Sequence, residues 1–244
     1  MAERARIPVP GTKNFRDVGG LHTPTGRVRH GVLYRSDVLN RLGEDGRAAL
    51  ASLGVGVVID LRDENEASYM PDDLDGLDLD VVRLPVFEGS GASQGVGVTL
   101  ELLYERIVTQ HAAVVVSAIR QIATTDGRAV LVHCTAGKDR TGVVMALALL
   151  AVGVDRDEVL ADYALTEANL AGEWLDEMVA IVGRFGVPDV PELRVLMGGS
   201  PPEALAHVLA VIEREHGSIR DYLLASGLAI EELAFLERRL VEPR

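Results

Sequence analysis

The chain has 244 residues, 48% of them hydrophobic, and a net charge of −13, which fits one large globular domain and excludes a nucleic-acid partner because no basic stripe is present. A single cysteine, Cys134, excludes an intrachain disulfide and any multi-cysteine zinc site, and the six histidines show no paired metal-ligand spacing. No run of about 18 uninterrupted apolar residues occurs, and no apolar stretch follows residues 1–6; neither a membrane span nor a signal peptide is expected, and the expected location is cytoplasmic, with signal-less export left open.

In chain order, the polar segment Gly11–Gly20, a turn at Gly26 and the run Val32–Ser36 predict a short hairpin or a pair of strands. Glu44–Leu53 has helical spacing and stops at Gly54. Val55–Asp60 is a β-branched run, which predicts a buried strand, and Leu79–Leu84 predicts a second. A glycine-rich loop follows at Gly89–Gly97, and Thr99–Ala123 reads as one long helix or two. Asp126-Gly127 turns the chain into a strand over Ala129–His133, and a helix runs from Arg140 to near Gly153. Its apolar run, Val143–Val154, reads as a buried core helix.

From Asp155 onward every periodic segment reads as helix: Asp157–Leu170, Glu173–Phe185, Pro202–Glu215, Ile219–Ala225 and Ile230–Val241. The tail is therefore expected to be all-α. Strands alternating with helices predict an α/β fold with a mostly parallel sheet and helices on both faces. The expected organisation is a single domain, with residues 1–154 as α/β core and 155–244 as a helical portion.

Between the last predicted strand and its helix stands His133-Cys134-Thr135-Ala136-Gly137-Lys138-Asp139-Arg140-Thr141-Gly142. A cysteine at a strand end and a helix start meets the positive end of the helix, which favours its thiolate. Thr135–Asp139 can curl so that successive amide N–H groups point inward, and such a nest binds a tetrahedral oxyanion. Gly137 permits the curl. Arg140 offers a planar fork for two phosphate oxygens. Thr141 stands where a hydroxyl could donate to the sulfur, and His133 can hold the loop through a backbone contact. The implied chemistry is covalent: Cys134 attacks phosphorus, a phosphocysteine forms, and water hydrolyses it. A catalytically weak phosphate-recognition module is the alternative. Sulfur-transfer or arsenate chemistry is disfavoured by the lone cysteine and by the Gly137–Thr141 ending.

Residues 133–142 resemble the phosphate-binding loop of cysteine-dependent protein tyrosine phosphatases. More narrowly, the chain is similar to a bacterial tyrosine/serine phosphatase family with members that also act on phosphoinositides. Asn14–Gly20, Leu33–Ser36, Ile59–Arg62 with Glu66 beyond, and Ala161–Tyr163 carry the likeness further. The resemblance implies Cys134 as nucleophile, Arg140 as phosphate clamp, and Thr135, Ala136, Gly137, Lys138 and Thr141 around the substrate. Lys138 would contact a second phosphate, as on an inositol ring. It is one of two lysines, with Lys13, beside 22 arginines.

A proton donor is also required for the leaving alcohol. The resemblance places it in the loop after the second strand, where Glu88 stands instead of an aspartate; Asp139 is the alternative, and Glu88 is favoured on reach. Asp60 with Arg62 reads as an ion pair at least as well as a substrate contact. Asn14, Arg16, Asp17, Arg35 and Ser36 read as a polar network holding the N-terminal segment. The resemblance implies that helices between Asp157 and Glu215 form a lid; an ordinary helical flank is the alternative. No cofactor or metal is expected. The expected partner is a phosphorylated protein or a phosphoinositide, and oligomeric state is left open.

Overall fold

A computed structural model describes residues 6–87 and 98–244. Five strands lie side by side in the order β1 (Arg16–Asp17), β3 (Leu33–Ser36), β6 (Ala129–His133), β4 (Val55–Asp60) and β5 (Asp80–Arg83). Only the edge strand β1 runs antiparallel to its neighbour. Every residue of β4 and β6 is buried, as parallel strands covered on both faces require. Successive side chains point to opposite sides of the sheet. Leu33, Val57, Ile59, Val130 and Val132 enter one core, while Tyr34, Val58 and Leu131 enter the other.

The two faces are unequal. The first is covered by α3 (Leu100–Gln110), α4 (Ala112–Thr124) and α5 (Asp139–Ala151), with α9 (Pro202–His216), α10 (Ile219–Ala225) and α11 (Ile230–Leu240) packed onto them. The second is covered by α1 (Gly43–Ser52) and the segment around Val9 and Phe15. The helix α5 is apolar nearly all round and buried at almost every position, so it is the core helix its composition predicts. No single helix among the described residues is long and apolar enough to cross a membrane.

Residues 99–123 form two helices, the second of the two readings anticipated, broken at His111, whose φ of −117° leaves the helical range. Other expectations are corrected. The tail is not wholly helical, because β7 (Val241–Pro243) returns to pair antiparallel with β2 (Gly26–Val28). A strand of three residues is too short to show alternation in sequence. Two short helices, α2 (Glu64–Tyr69) and α8 (Pro191–Gly198), escape a periodicity reading for the same reason. Each nonetheless carries a start signal: Asp63 and Glu66 form a capping box, and Pro191 stands in the first turn of α8.

A buried ionic cluster ties the sheet edge to α6 (Arg156–Leu170). Arg16 Nε lies 3.0 Å and Arg35 Nη1 2.7 Å from opposite oxygens of Asp162. All three side chains are almost fully buried. Burial and the neighbouring Arg35 push the Arg16 guanidinium down to about 10, still charged at neutral pH. Burial opposes the charge on Asp162, but Arg16 and Arg35 overcome it and lower its pKa to about 2. Asp17, expected in the same network, instead accepts from the Gly31 amide and faces His30, both at 3.0 Å.

Truncation of Asp162 leaves two buried guanidiniums without this partner, so Asp162→Ala should cost about 3–5 kcal/mol in denaturant unfolding. The stability Asp162 contributes is complete above the unfolded carboxyl's pKa, 3.8, and is lost as pH falls toward about 2. The variant should therefore show a flatter loss of stability across that window than the parent chain.

Candidate active site

The parallel strands β3, β6 and β4 end together, with Ser36 and Asp60 both in register with His133. In an open α/β sheet this carboxyl edge is where ligands bind. The chain leaves β6 at His133, turns through Cys134–Lys138, and enters α5 at Asp139.

Donors outside the loop hold its carbonyls. His133 Nδ1 donates to the Cys134 carbonyl at 3.2 Å, and the Val38 amide to that of Thr135 at 3.0 Å. Asn14 Nδ2 donates to the Ala136 carbonyl at 2.9 Å, and Arg35 Nη2 to that of Gly137 at 2.7 Å. A peptide plane carries its N–H opposite its C=O, so carbonyls drawn outward turn the amides inward. The amides of Thr135–Asp139 have no acceptor among the described residues, as an anion-binding nest requires. Gly137 is obligatory here: its φ is +64°, and a Cβ would lie 2.2 Å from the Ser36 carbonyl oxygen.

Cys134 and Arg140 line one cavity of about 620 Å³, together with Thr135, Ala136 and Asp139. Arg140 Nη1 and Nη2 donate to the two oxygens of Glu66 at 2.5 and 2.7 Å. That fork leaves the Nε–Nη2 edge of the guanidinium for a second bidentate partner. Glu66 also accepts from Thr135 Oγ1 at 2.8 Å. Burial opposes its charge, but the bonds from Arg140 and Thr135 hold its carboxyl below the usual value. Arg140 responds in kind: burial works against the cation, and Glu66 and the Cys134 sulfur hold it above its ordinary value. Glu66 entered the sequence reading only through the family resemblance. Its capping-box position is the local signal that marks it.

The other expected site residues are placed unequally. Asp139 lines the cavity and accepts from Tyr104 Oη at 2.8 Å. Lys138 is 0% exposed; its ammonium donates to the Leu196 carbonyl at 2.6 Å and lies 3.4 Å from Asp139, away from the cavity wall. Thr141 Oγ1 is buried and has no hydrogen-bond partner among the described residues, so the anticipated bond to sulfur is not formed. Glu88 lies outside the described residues, as does the glycine-rich segment after it.

Asp60 and Arg62 form a buried ion pair at 2.8 Å behind the loop, as anticipated. Asp60, Asp72 and His133 are close enough together to hold a metal. Arg62, however, also donates to Asp72 at 2.6 Å. Its guanidinium already supplies the cation between the two carboxylates.

The cavity roof comes from α7 (Glu173–Gly183), α8 and the segment joining them. It presents Trp174, Met178, Ile181, Phe185 and Met197. On its outer side Lys13 reaches Glu173 at 3.1 Å and Arg41 reaches Glu177 at 2.9 Å. Such exposed pairs hold weakly, by about 0–1 kcal/mol each.

A strand–loop–helix unit that sets a thiol in a nest of amides, with an arginine six residues on, defines the class of cysteine-dependent phosphatases. The chain belongs to the tyrosine phosphatase family, whose model matches residues 7–242. It is 31% identical to the triple specificity protein phosphatase PtpB of Mycobacterium tuberculosis, over 91% of this chain and 94% of that protein. It is 32% identical to a tyrosine-protein phosphatase of Nostoc commune, over 86% of this chain and 74% of the relative. The solved structure of P. aeruginosa TpbA is 25% identical, with a TM-score of 0.39 over 68% of this chain and 86% of TpbA.

Glu66→Ala leaves Arg140 without the partner that aims it. This variant should lower kcat/KM on an aryl phosphate about a hundredfold, the effect of roughly 3 kcal/mol. Glu66→Gln, which keeps one acceptor, should lose less.

Proposed function

We propose that the chain hydrolyses phosphotyrosine through a phosphocysteine on Cys134. The observation that carries this reading is the Arg140–Glu66 fork, which leaves a guanidinium edge free in the same cavity as the sulfur and the inward-turned amides. The thiolate attacks phosphorus, the S–P bond forms, and the P–O bond to the leaving alcohol breaks. The amides and Arg140 stabilise charge on the equatorial oxygens. Asp139 gives the leaving oxygen its proton, then takes one from the water that attacks the phosphocysteine, and the thiolate departs with phosphate released. Asp139 is the acid taken in this reading, since it lines the cavity; Glu88, the alternative, lies outside the described residues.

The substrate preference follows from the walls. Aromatic and aliphatic side chains of the roof suit the ring of a phosphotyrosine, and among the described residues Arg140 is the one Lys or Arg lining the cavity, which leaves no second cation there for a further phosphate. The relative's name, triple specificity protein phosphatase, supports activity on more than one class of phosphate ester. A phosphoinositide would need Lys138 to leave the Leu196 carbonyl and turn to a second phosphate. Residues of α7 and α8 line the same cavity as Cys134, and in this reading the two helices act as a lid that moves aside for a protein substrate.

Cys134→Ser should abolish turnover of phosphotyrosine peptides and of a generic aryl phosphate; retained turnover would refute covalent catalysis by this residue. In kcat against pH, Asp139→Asn should remove the alkaline limb while Glu88→Gln keeps it. The reverse result would move the acid to Glu88.

A further inference from the structure

Two buried tyrosines stand behind Asp139 and take no part in the chemistry above. Tyr104 Oη donates to Asp139 Oδ1 at 2.8 Å, and Tyr163 Oη lies 2.5 Å from Tyr104 Oη. The rings meet edge to face, their centroids 6.2 Å apart. Tyr104 comes from α3, Tyr163 from α6 and Asp139 from the first turn of α5, so three helices converge on one carboxylate. The approach is close: a Cβ at Gly142 would come 3.0 Å from the Tyr163 ring.

We propose that Tyr104, backed by Tyr163, is a positioning residue for Asp139, fixing which carboxyl oxygen carries the catalytic proton. The proposal rests on Asp139 being the proton donor. A phenol has one proton to give. While Tyr104 gives it to Oδ1, Tyr163 must donate to Tyr104, so the pair has a single direction. The Lys138 ammonium also faces Oδ1, at 3.4 Å. With Oδ1 engaged from two sides, a proton acquired by Asp139 resides on Oδ2, which accepts no hydrogen bond among the described residues. The carboxyl is thereby held in one rotamer with one acidic oxygen. Such alignment separates an effective general acid from a nearby carboxylate.

The charged and titratable groups around Asp139 come from every packed element. They are Lys138 and Arg140 on its own loop and helix, with Cys134 beside Arg140, Tyr104 on α3, and Tyr163 on α6 with Glu101 of α3 near it. Burial, then the Asp139 charge, raises both phenols above their ordinary pKa. They remain neutral donors throughout the working range. The adjacent residue on α6, Asp162, holds Arg35 on the Gly137 carbonyl. One turn of α6 therefore steadies both the phosphate cradle and the proposed acid.

The test compares kcat and KM against pH for the parent chain, Asp139→Asn, Tyr104→Phe, Tyr163→Phe and the double variant Tyr104→Phe/Asp139→Asn. Two substrates are used: a phosphotyrosine peptide, whose leaving group needs a proton, and p-nitrophenyl phosphate, whose leaving group needs it far less. Tyr104→Phe should lower kcat on the peptide about tenfold, the size of one aligned hydrogen bond. KM and the p-nitrophenyl phosphate rate should stay near parental values. Loss of a donor to the carboxylate should also shift the alkaline limb to higher pH. Tyr163→Phe, which leaves Tyr104 in place, should show a smaller change of the same kind. In the Asp139→Asn background, Tyr104→Phe should add nothing.

Equal losses on both substrates, an unmoved alkaline limb, or additive losses in the double variant would overturn the positioning role. If Asp139→Asn itself keeps the alkaline limb, the underlying assignment of the acid fails, and the role of Tyr104 fails with it. That outcome is distinguishable because it appears in the single Asp139 variant.

Discussion

Four consecutive carbonyls, those of Cys134, Thr135, Ala136 and Gly137, are drawn away from the cavity by donors outside the loop. Peptide planarity then turns the amides inward. Much of the surrounding polar structure follows from this constraint. Asn14 must be buried to reach Ala136, and it is held by Arg16 and Asn169. Arg35 must be charged and fixed, so it needs Asp162. Buried ion pairs rarely add net stability compared with apolar packing. Here the arginines do something an apolar side chain cannot: they pin carbonyl oxygens in place.

A second tier acts on side chains. Glu66 sets the plane of Arg140, and Tyr104 engages one oxygen of Asp139. The chain carries a charge of −13, yet it gathers Arg16, Arg35, Arg62 and Arg140 around the end of β6, each beside a carboxylate. A phosphate bound as proposed would meet a neutralised surround with one guanidinium edge of Arg140 left by Glu66, backed by the helix N-terminus of α5. Where the apolar roof closes on a bound substrate, the lower local dielectric would strengthen those interactions.

The sheet was legible because its inner strands are β-branched runs fully buried in parallel pairing, and α5 because it is apolar nearly all round. The loop was legible because its residue types have one joint chemical use. Elements set by tertiary context were not. The strand β7 consists of three residues whose pairing is decided by where α11 delivers the chain. The helix α8 is too short to show a period. Lys138 reads in sequence as a substrate contact, but the roof supplies a carbonyl that takes its ammonium. The contact between Lys138 and Leu196 spans 58 residues, and nothing in the spacing of the loop announces it. Tyr104 falls within the predicted helical stretch Thr99–Ala123, and nothing in that spacing announces the contact with Asp139.

The central claim is that phosphate passes through sulfur in this cradle. Rapid acid quench of a single turnover on a phosphotyrosine peptide, followed by mass spectrometry of the digested chain, tests it most directly. The account predicts phosphate on the peptide containing Cys134, appearing with the first equivalent of released tyrosine and decaying as inorganic phosphate forms. Release of tyrosine and phosphate together, with no covalent phosphate on that peptide at any time, would contradict it.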